Sequence, residues 1–336
     1  MIVISPWSKE SWVCSEVFDH TSIIRFMEKR FGVMEPNISP WRRSVCGDLT
    51  SAFHFENPNG NLRRLPSVAA FAAPQSDMAS SKTYPNAPLS APAAGTMPVQ
   101  ELDLRLARPL PYTLQADGRA NIAARTFTLN FSNAGSAGAC FHVRSPNGSS
   151  AEGTPGPGSY MVESGKSLSD IWVPSADGSY ELTVNGPNGF FRKFGGNLAA
   201  GSVYLAVTCF YDESGITPRI TNNTAVAVDV TDTYTGQARS HRLAPGATTG
   251  MRWWLNPSHN WYDLIVSTSA NSDFVRQYAG HVENGEPSVS DPKNDQVPDN
   301  HPHYAGWYSQ DHSDGEQGSD DDGGESGRGR GRGTRK

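Results

Sequence analysis

Cysteine is scarce in this chain: Cys14, Cys46, Cys140 and Cys209 lie far apart among 336 residues, with no CxxC spacing. That excludes the usual cysteine zinc site and makes buried free thiols a simpler expectation than disulfides. No run approaches the roughly 20 apolar residues that a membrane-spanning helix needs. The start, MIVISPWSKESW, has four apolar residues before Ser5 but no basic leader and no small-residue cleavage site. A signal peptide is therefore not expected, and the chain as written is expected to be cytoplasmic if expressed. Charge is also sparse, 18% of residues with a net of −6, so no nucleic-acid partner is expected, although the charge is unevenly spread.

Glycine and proline are abundant instead, at 33 and 24, which favours strands joined by turns over a helical bundle. The length suits two or three domains. Residues 1–60 read as a first block. MIVIS is a short β-branched run, the pattern of a buried strand. The stretch EVFDHTSIIRFMEKRFG follows and predicts a helix. Ile23, Ile24, Phe26, Met27 and Phe31 share one face, Thr21 or Ser22 can cap the start, and Gly32 ends it. Residues 61–100 are rich in Pro, Ala and Ser and read as a linker.

From residue 101 the pattern is β-rich. TFTLNFSN (Thr126 to Asn133) and YELTV (Tyr180 to Val184) alternate apolar and polar residues, as half-buried strands do. A repeat is also present, one copy running from Trp172 and the other from Trp253. Tyr180 matches Tyr262, Val184 matches Val266, Arg192 matches Arg276, Phe194 matches Tyr278, Gly196 matches Gly280, and upstream Gly165 matches Gly246. A period a little over 80 residues suits paired small β-sandwiches. The predicted fold is mainly β: two tandem sandwiches, 101–199 and 200–285, preceded by a strand-helix piece of an α/β domain. Residues 286–336, acidic then GRGRGRGTRK, lack apolar residues to offset ordering entropy and are expected to be disordered. The Gly-spaced arginines could bind RNA, but the acidic block beside them makes self-neutralisation the simpler account.

Asp19-His20 is the sharpest chemical signal. A carboxylate and an imidazole in consecutive loop positions can face one divalent metal. From the dipeptide alone, Asp19 as a helix cap with His20 packed nearby is the better account. Glu16 lies close enough to accept a hydrogen bond at the edge of such a site. Arg42-Arg43 could contact phosphate, though paired loop arginines more often face solvent or bind a carboxylate. The aromatic residues of the repeats, among them Trp172, Phe191, Trp253, Trp254 and Trp261, suit a sandwich core; Phe191 and Trp254 are the positions to test for lipid contact. His54, His142, His241, His259 and His281 are scattered singly and read as packing or surface residues.

The segments MIVISPWSKESWVCSEVFDHTSIIRFMEKRFG and NISPWRRSVCGDLTSAFHF closely resemble the end of the catalytic domain of bacterial phosphocholine-preferring phospholipases C. Those enzymes belong to a phosphoesterase group that resembles the alkaline phosphatase superfamily. ARPLPYTLQADG, GKSLSDIW, GPNGFFRKF and WYDLIV resemble the duplicated C-terminal domain of the same phospholipases. The resemblance covers about residues 1–292. It implies that Asp19 and His20 are metal ligands and that Thr21 lies where a phosphate oxygen approaches the helix N-terminus. It also implies a divalent metal in the full-length family, and hydrolysis of phosphatidylcholine or sphingomyelin to release phosphocholine. A membrane surface is a further implied partner, and the family's location is secreted or periplasmic. The family's nucleophile and remaining ligands match nothing here, so the chain is expected to be a truncated, inactive fragment that binds no metal alone. The alternative is a non-catalytic accessory module that binds a lipid surface or the catalytic domain.

Overall fold

The computed structural model describes residues 1–8, 11–56, 58–60, 104–151, 156–199, 204–224, 226–232 and 236–292. The 61–100 linker and the tail beyond residue 292 lie outside the described residues. What is described belongs to one unit, Met1–Asp295.

The first block contains α1 (Thr21–Phe31), α2 (Pro40–Val45) and a single 3-10 turn at Thr50–Ala52. Gly32 ends α1 in the left-handed conformation, its amide donating to the Glu28 carbonyl, as glycine without a Cβ does at low cost. Ser39 caps α2 by accepting from the Arg42 amide, with Pro40 in the first turn. The expected MIVIS strand is absent. Residues 1–4 are coil, with Ile2 and Ile4 88% and 94% exposed. A buried strand needs neighbours on both edges, and no described strand flanks this run. The expected apolar face of α1 is likewise open, since Ile23, Met27 and Phe31 are exposed and only Ile24 and Phe26 are half-buried. The block docks instead through its loops. Val13 donates to Leu106 and accepts from Arg108, the Val17 amide donates to Tyr112 Oη at 2.9 Å, and Gly138 donates to Ser44.

The strands that follow are β1 (Leu106–Ala107), β2 (Leu114–Asn121), β3 (Thr126–Asn133), β4 (Ala139–Arg144), β5 (Ser150–Ala151) and β6 (Gly158–Val162). Next come β7 (Lys166–Val173), β8 (Ser179–Asn185), β9 (Phe191–Asn197), β10 (Leu205–Asp212), β11 (Gly215–Asn222) and β12 (Val226–Asp232). The last are β13 (Ala238–Leu243), β14 (Thr248–Gly250), β15 (Trp253–Trp254), β16 (Trp261–Thr268), β17 (Asn271–His281) and β18 (Ser288–Val289). The strand read from TFTLNFSN is β3, and YELTV falls within β8.

One eight-stranded sheet runs through both repeats in the order β13-β12-β16-β17-β9-β8-β4-β6. Two separate sheets complete the sandwiches, β2-β3-β7-β5 for the first and β10-β11-β14 with β15 for the second. The first core joins Leu129, Phe131 and Trp172 of its own sheet to Phe141, Leu182 and Phe194 of the shared sheet. The second joins Val207, Ile216 and Trp253 to Leu264, Val266 and Tyr278. The repeat correspondence reappears as register: Tyr180 opposes Gly196 and Tyr262 opposes Gly280. Gly165 and Gly246 both take the third position of their turns with positive φ.

Residues 286–292, read as the start of a disordered tail, are described and include a paired strand. Ser288 and Val289 are buried and pair with Ala107 and Leu106, because Val289 has apolar surface to bury and its carbonyl accepts from the Trp261 indole at 3.0 Å.

Candidate functional site

The loop from Cys14 to His20 and the start of α1 line a cleft of about 1030 Å³, together with Ile2, Ile4, Trp12 and Arg108. Glu16, Asp19 and His20 all reach its wall. The sequence brings them there because residues 13–17 are pinned to the first sandwich and the chain must then turn into the helix.

Asp19 is already engaged. Its Oδ1 accepts from the Thr21 amide at 2.8 Å and the Thr21 hydroxyl at 2.6 Å, while Oδ2 meets Arg42. Burial pushes this carboxyl up, but the Thr21 and Arg42 bonds outweigh it and hold the group below the usual carboxylate range. Thr21 thus spends its hydroxyl on Asp19, not on an incoming phosphate. His20 stands exposed as the N-terminal flanking residue of α1 without a side-chain capping bond. Glu16 accepts from Ser51, whose hydroxyl also lies 3.5 Å from Cys14 Sγ. Burial is the main cause that raises the Glu16 carboxyl and the Cys14 thiol.

Arg42 and Arg43 both take carboxylates. Arg42 pairs with Asp19, and Arg43 donates to both oxygens of Glu28 at 2.8 Å. No group of three His, Cys, Asp or Glu stands close enough to hold a metal ion among the described residues. Asp19 and His20 offer at most two donors, one of them neutralised by a guanidinium, so the residues present do not by themselves fit a catalytic metal. The four cysteines are free, with Cys46 and Cys209 buried.

The aromatic residues divide sharply. Trp172, Phe190, Trp253, Trp261 and Tyr262 are buried in the sandwiches or their seam, and Phe191 is half-buried. Trp254 alone of this group stays open, 62% exposed.

Reading the sequence missed one polar cluster. His281 Nδ1 lies 2.8 Å from Glu283 Oε1, and its Nε2 lies 2.9 Å from Ser288 Oγ and 3.1 Å from the His259 carbonyl. The same glutamate accepts from the Leu110 amide and from Asn188. The serine is buried and its hydroxyl also donates to the His259 carbonyl, so the cluster fastens β18 and is not built as a nucleophile. Its signal was the spacing: residues 281 and 283 fall on one face of an extended segment.

These features define a tandem β-sandwich protein carrying a helical piece with an acid-imidazole pair at a cleft. The family described as Bacterial phospholipase C, C-terminal domain, matches residues 106–197 and 206–281, and the Phosphoesterase family matches residues 1–34. The chain belongs to the bacterial phospholipase C family. It is 46% identical over 305 residues to the non-hemolytic phospholipase C of Burkholderia pseudomallei, covering 87% of this chain and 42% of that protein. The non-hemolytic phospholipase C of Pseudomonas aeruginosa is 42% identical, covering 87% and 43%. The hemolytic phospholipase C of the same organism is 38% identical, covering 87% and 44%. The chain spans less than half the length of these curated relatives. Membership of this family is consistent with metal dependence.

Proposed function

We propose that this polypeptide serves phospholipase C chemistry, the hydrolysis of the phosphodiester of phosphatidylcholine or sphingomyelin with release of phosphocholine, as the β-sandwich-bearing part of the machinery. The observation that carries the reading is the join of three matches in one order: a phosphoesterase end at residues 1–34, then two phospholipase C C-terminal repeats. Asp19 and His20 are the residues assigned to a divalent metal. Arg42 would compete with such a cation for the Asp19 carboxylate, which it pairs with here. A metal there would neutralise charge on the phosphodiester's anionic oxygens. With two donors at most, the chain alone is expected to lack turnover.

The second reading is a non-catalytic module whose sandwiches bind a lipid surface or the catalytic part of the enzyme. The exposure of Trp254 favours it. Release of phosphocholine from phosphatidylcholine by the purified chain tests whether the site is incomplete. The expected rate equals that of a His20→Ala control, and any rate clearly above that control overturns the assignment of an incomplete site.

A further inference from the structure

Apolar side chains gain by leaving water, yet the N-terminal block keeps several of its largest ones in it. Ile23, Met27 and Phe31 recur every fourth residue and so form one stripe along α1. All three are exposed, Phe31 by 69%. Ile2 and Ile4 stand open at the head of this stripe, since both line the same cleft as Ile23. The rest of the helix is engaged within the block. Phe26 stacks on Phe53 with ring centres 5.2 Å apart, Arg25 donates to the Cys46 carbonyl, and Glu28 holds Arg43.

The backbone of residues 2–4 is open as well. Among the described residues, none bonds the amides of Ile2, Val3 and Ile4, and the Val3 carbonyl accepts from the Ser8 hydroxyl alone. The chain is anchored just beyond this run. The Trp7 carbonyl accepts from the His54 amide at 2.7 Å, and the Pro6 carbonyl from the Asn59 amide at 2.8 Å. A four-residue apolar run fixed at one end, with its amides free, has the properties of a strand waiting for a sheet edge.

Two observations say what covers this surface. Residues 1–34, which carry all five exposed side chains, are the segment that matches the Phosphoesterase family. The curated relatives share with this chain only 42–44% of their own length, so more than half of each lies outside the matched part. The apolar pattern of residues 1–34 thus belongs to a fold larger than the block. We infer that Met1–Ile4 and the Ile23–Met27–Phe31 stripe form the docking face for a phosphoesterase polypeptide of this family, with residues 1–4 adding as a strand to its sheet. The inference rests on the phospholipase C reading above and names its partner. Seating is through the block, not through the sandwiches. Strand addition supplies main-chain hydrogen bonds, while alternate side chains enter apolar pockets of the partner. Asp19 and His20 stand in the wall of the same cleft, so the occupant borders the acid-imidazole pair.

The test is co-expression of the full chain with a tagged polypeptide holding the N-terminal portion of the Burkholderia pseudomallei relative, followed by affinity capture and sedimentation. A one-to-one complex is expected. Ile2→Asp with Ile4→Asp, and separately Met27→Asp with Phe31→Asp, should each lower capture by about tenfold or more. Phe210→Asp, at an exposed ring on β10, should leave it unchanged. All the altered positions are exposed in this chain, and circular dichroism of each variant checks its fold. Amide exchange at residues 2–4 should slow in the complex, which apolar contact without strand pairing does not produce. No complex, or one that survives both pairs of changes, overturns the inference. So does a dimer of the chain alone that the same changes dissolve, since a second copy then holds the face. Slow exchange of residues 2–4 in the free chain also overturns it, because another part of this chain then covers them. Capture is read without hydrolysis. A complex that releases no phosphocholine removes the metal assignment and leaves the docking face, whereas an active in-frame chimera beside absent capture does the reverse.

Discussion

Arg276 of the second repeat donates to the phenol of Tyr180 in the first over 2.6 Å, and both groups are buried. The relationship is reciprocated: Arg192 of the first repeat donates to Tyr262 of the second at 2.9 Å. The two arginines also bond carbonyls across the joint, Arg276 to Gly195 and Arg192 to Ala279. In the β9–β17 pairing, Arg192 opposes Tyr278 and Arg276 opposes Phe194, matched positions exchanged between copies. The duplication is thus closed by a local two-fold relation, and each repeat completes its partner's core.

Removing either phenol leaves a buried, charged donor short of an acceptor. Tyr180→Phe and Tyr262→Phe are each expected to cost about 1.5–3 kcal/mol in chemical denaturation. A double-mutant cycle of Tyr180→Phe with Arg276→Met should return a coupling of about 1–3 kcal/mol. Additive single effects would show that the bond carries nothing.

Each tyrosine lies over a glycine for a steric reason. A Cβ at Gly196 would meet Tyr180 Oη at 2.6 Å. Gly196→Ala is expected to push the phenol off Arg276 and to cost about 1–3 kcal/mol. The loss should shrink in a Tyr180→Phe background; an equal loss in both backgrounds would place the strain elsewhere.

Arg43 holds the Glu28 carboxyl down to about 2 from an ordinary 4.5 through paired hydrogen bonds, with the Glu35 amide assisting. A depressed carboxyl contributes stability that is full above its unfolded value and lost as pH falls through its folded value. The joint between α1 and α2 should therefore be intact above about pH 4.5 and open as pH approaches 2. Hydrogen exchange across residues 21–45 is expected to rise over that window. Glu28→Gln should flatten the response, and an unchanged profile in that variant rejects the assignment.

The cluster around His281 is expected to hold the last described strand. His281→Ala leaves Glu283 and Ser288 without their shared partner, and should cost about 1–3 kcal/mol. Amide exchange across residues 286–292 should accelerate, with little change in β3.

Much of this architecture was legible in the sequence. Alternation in Thr126 to Asn133 marked β3, and the matched Tyr, Arg and Gly positions marked the duplication. The shared sheet was not legible, because pairing of Phe191 with Ala279 joins residues far apart in sequence, and periodicity reports only which face of a strand is buried. MIVIS has the β-branched composition of a strand, but composition expresses a need for neighbours and does not supply them, and residues 1–4 are coil. At the site, the Asp19-His20 pair stood out by spacing. Its engagement by Arg42 could be raised only as one option, since a carboxylate partner for the arginine pair is a matter of tertiary contact.

The central proposal is that Asp19 and His20 belong to a phosphoesterase site that the described residues do not complete. It is tested most directly by joining the chain in frame to the N-terminal portion of the Burkholderia pseudomallei relative and measuring phosphocholine release from phosphatidylcholine. The chimera is expected to be active, with Asp19→Ala and His20→Ala each lowering kcat by about 100-fold. Circular dichroism of each variant checks that the fold is retained after Asp19 loses its bonds to Thr21 and Arg42. Full activity in both variants contradicts the claim.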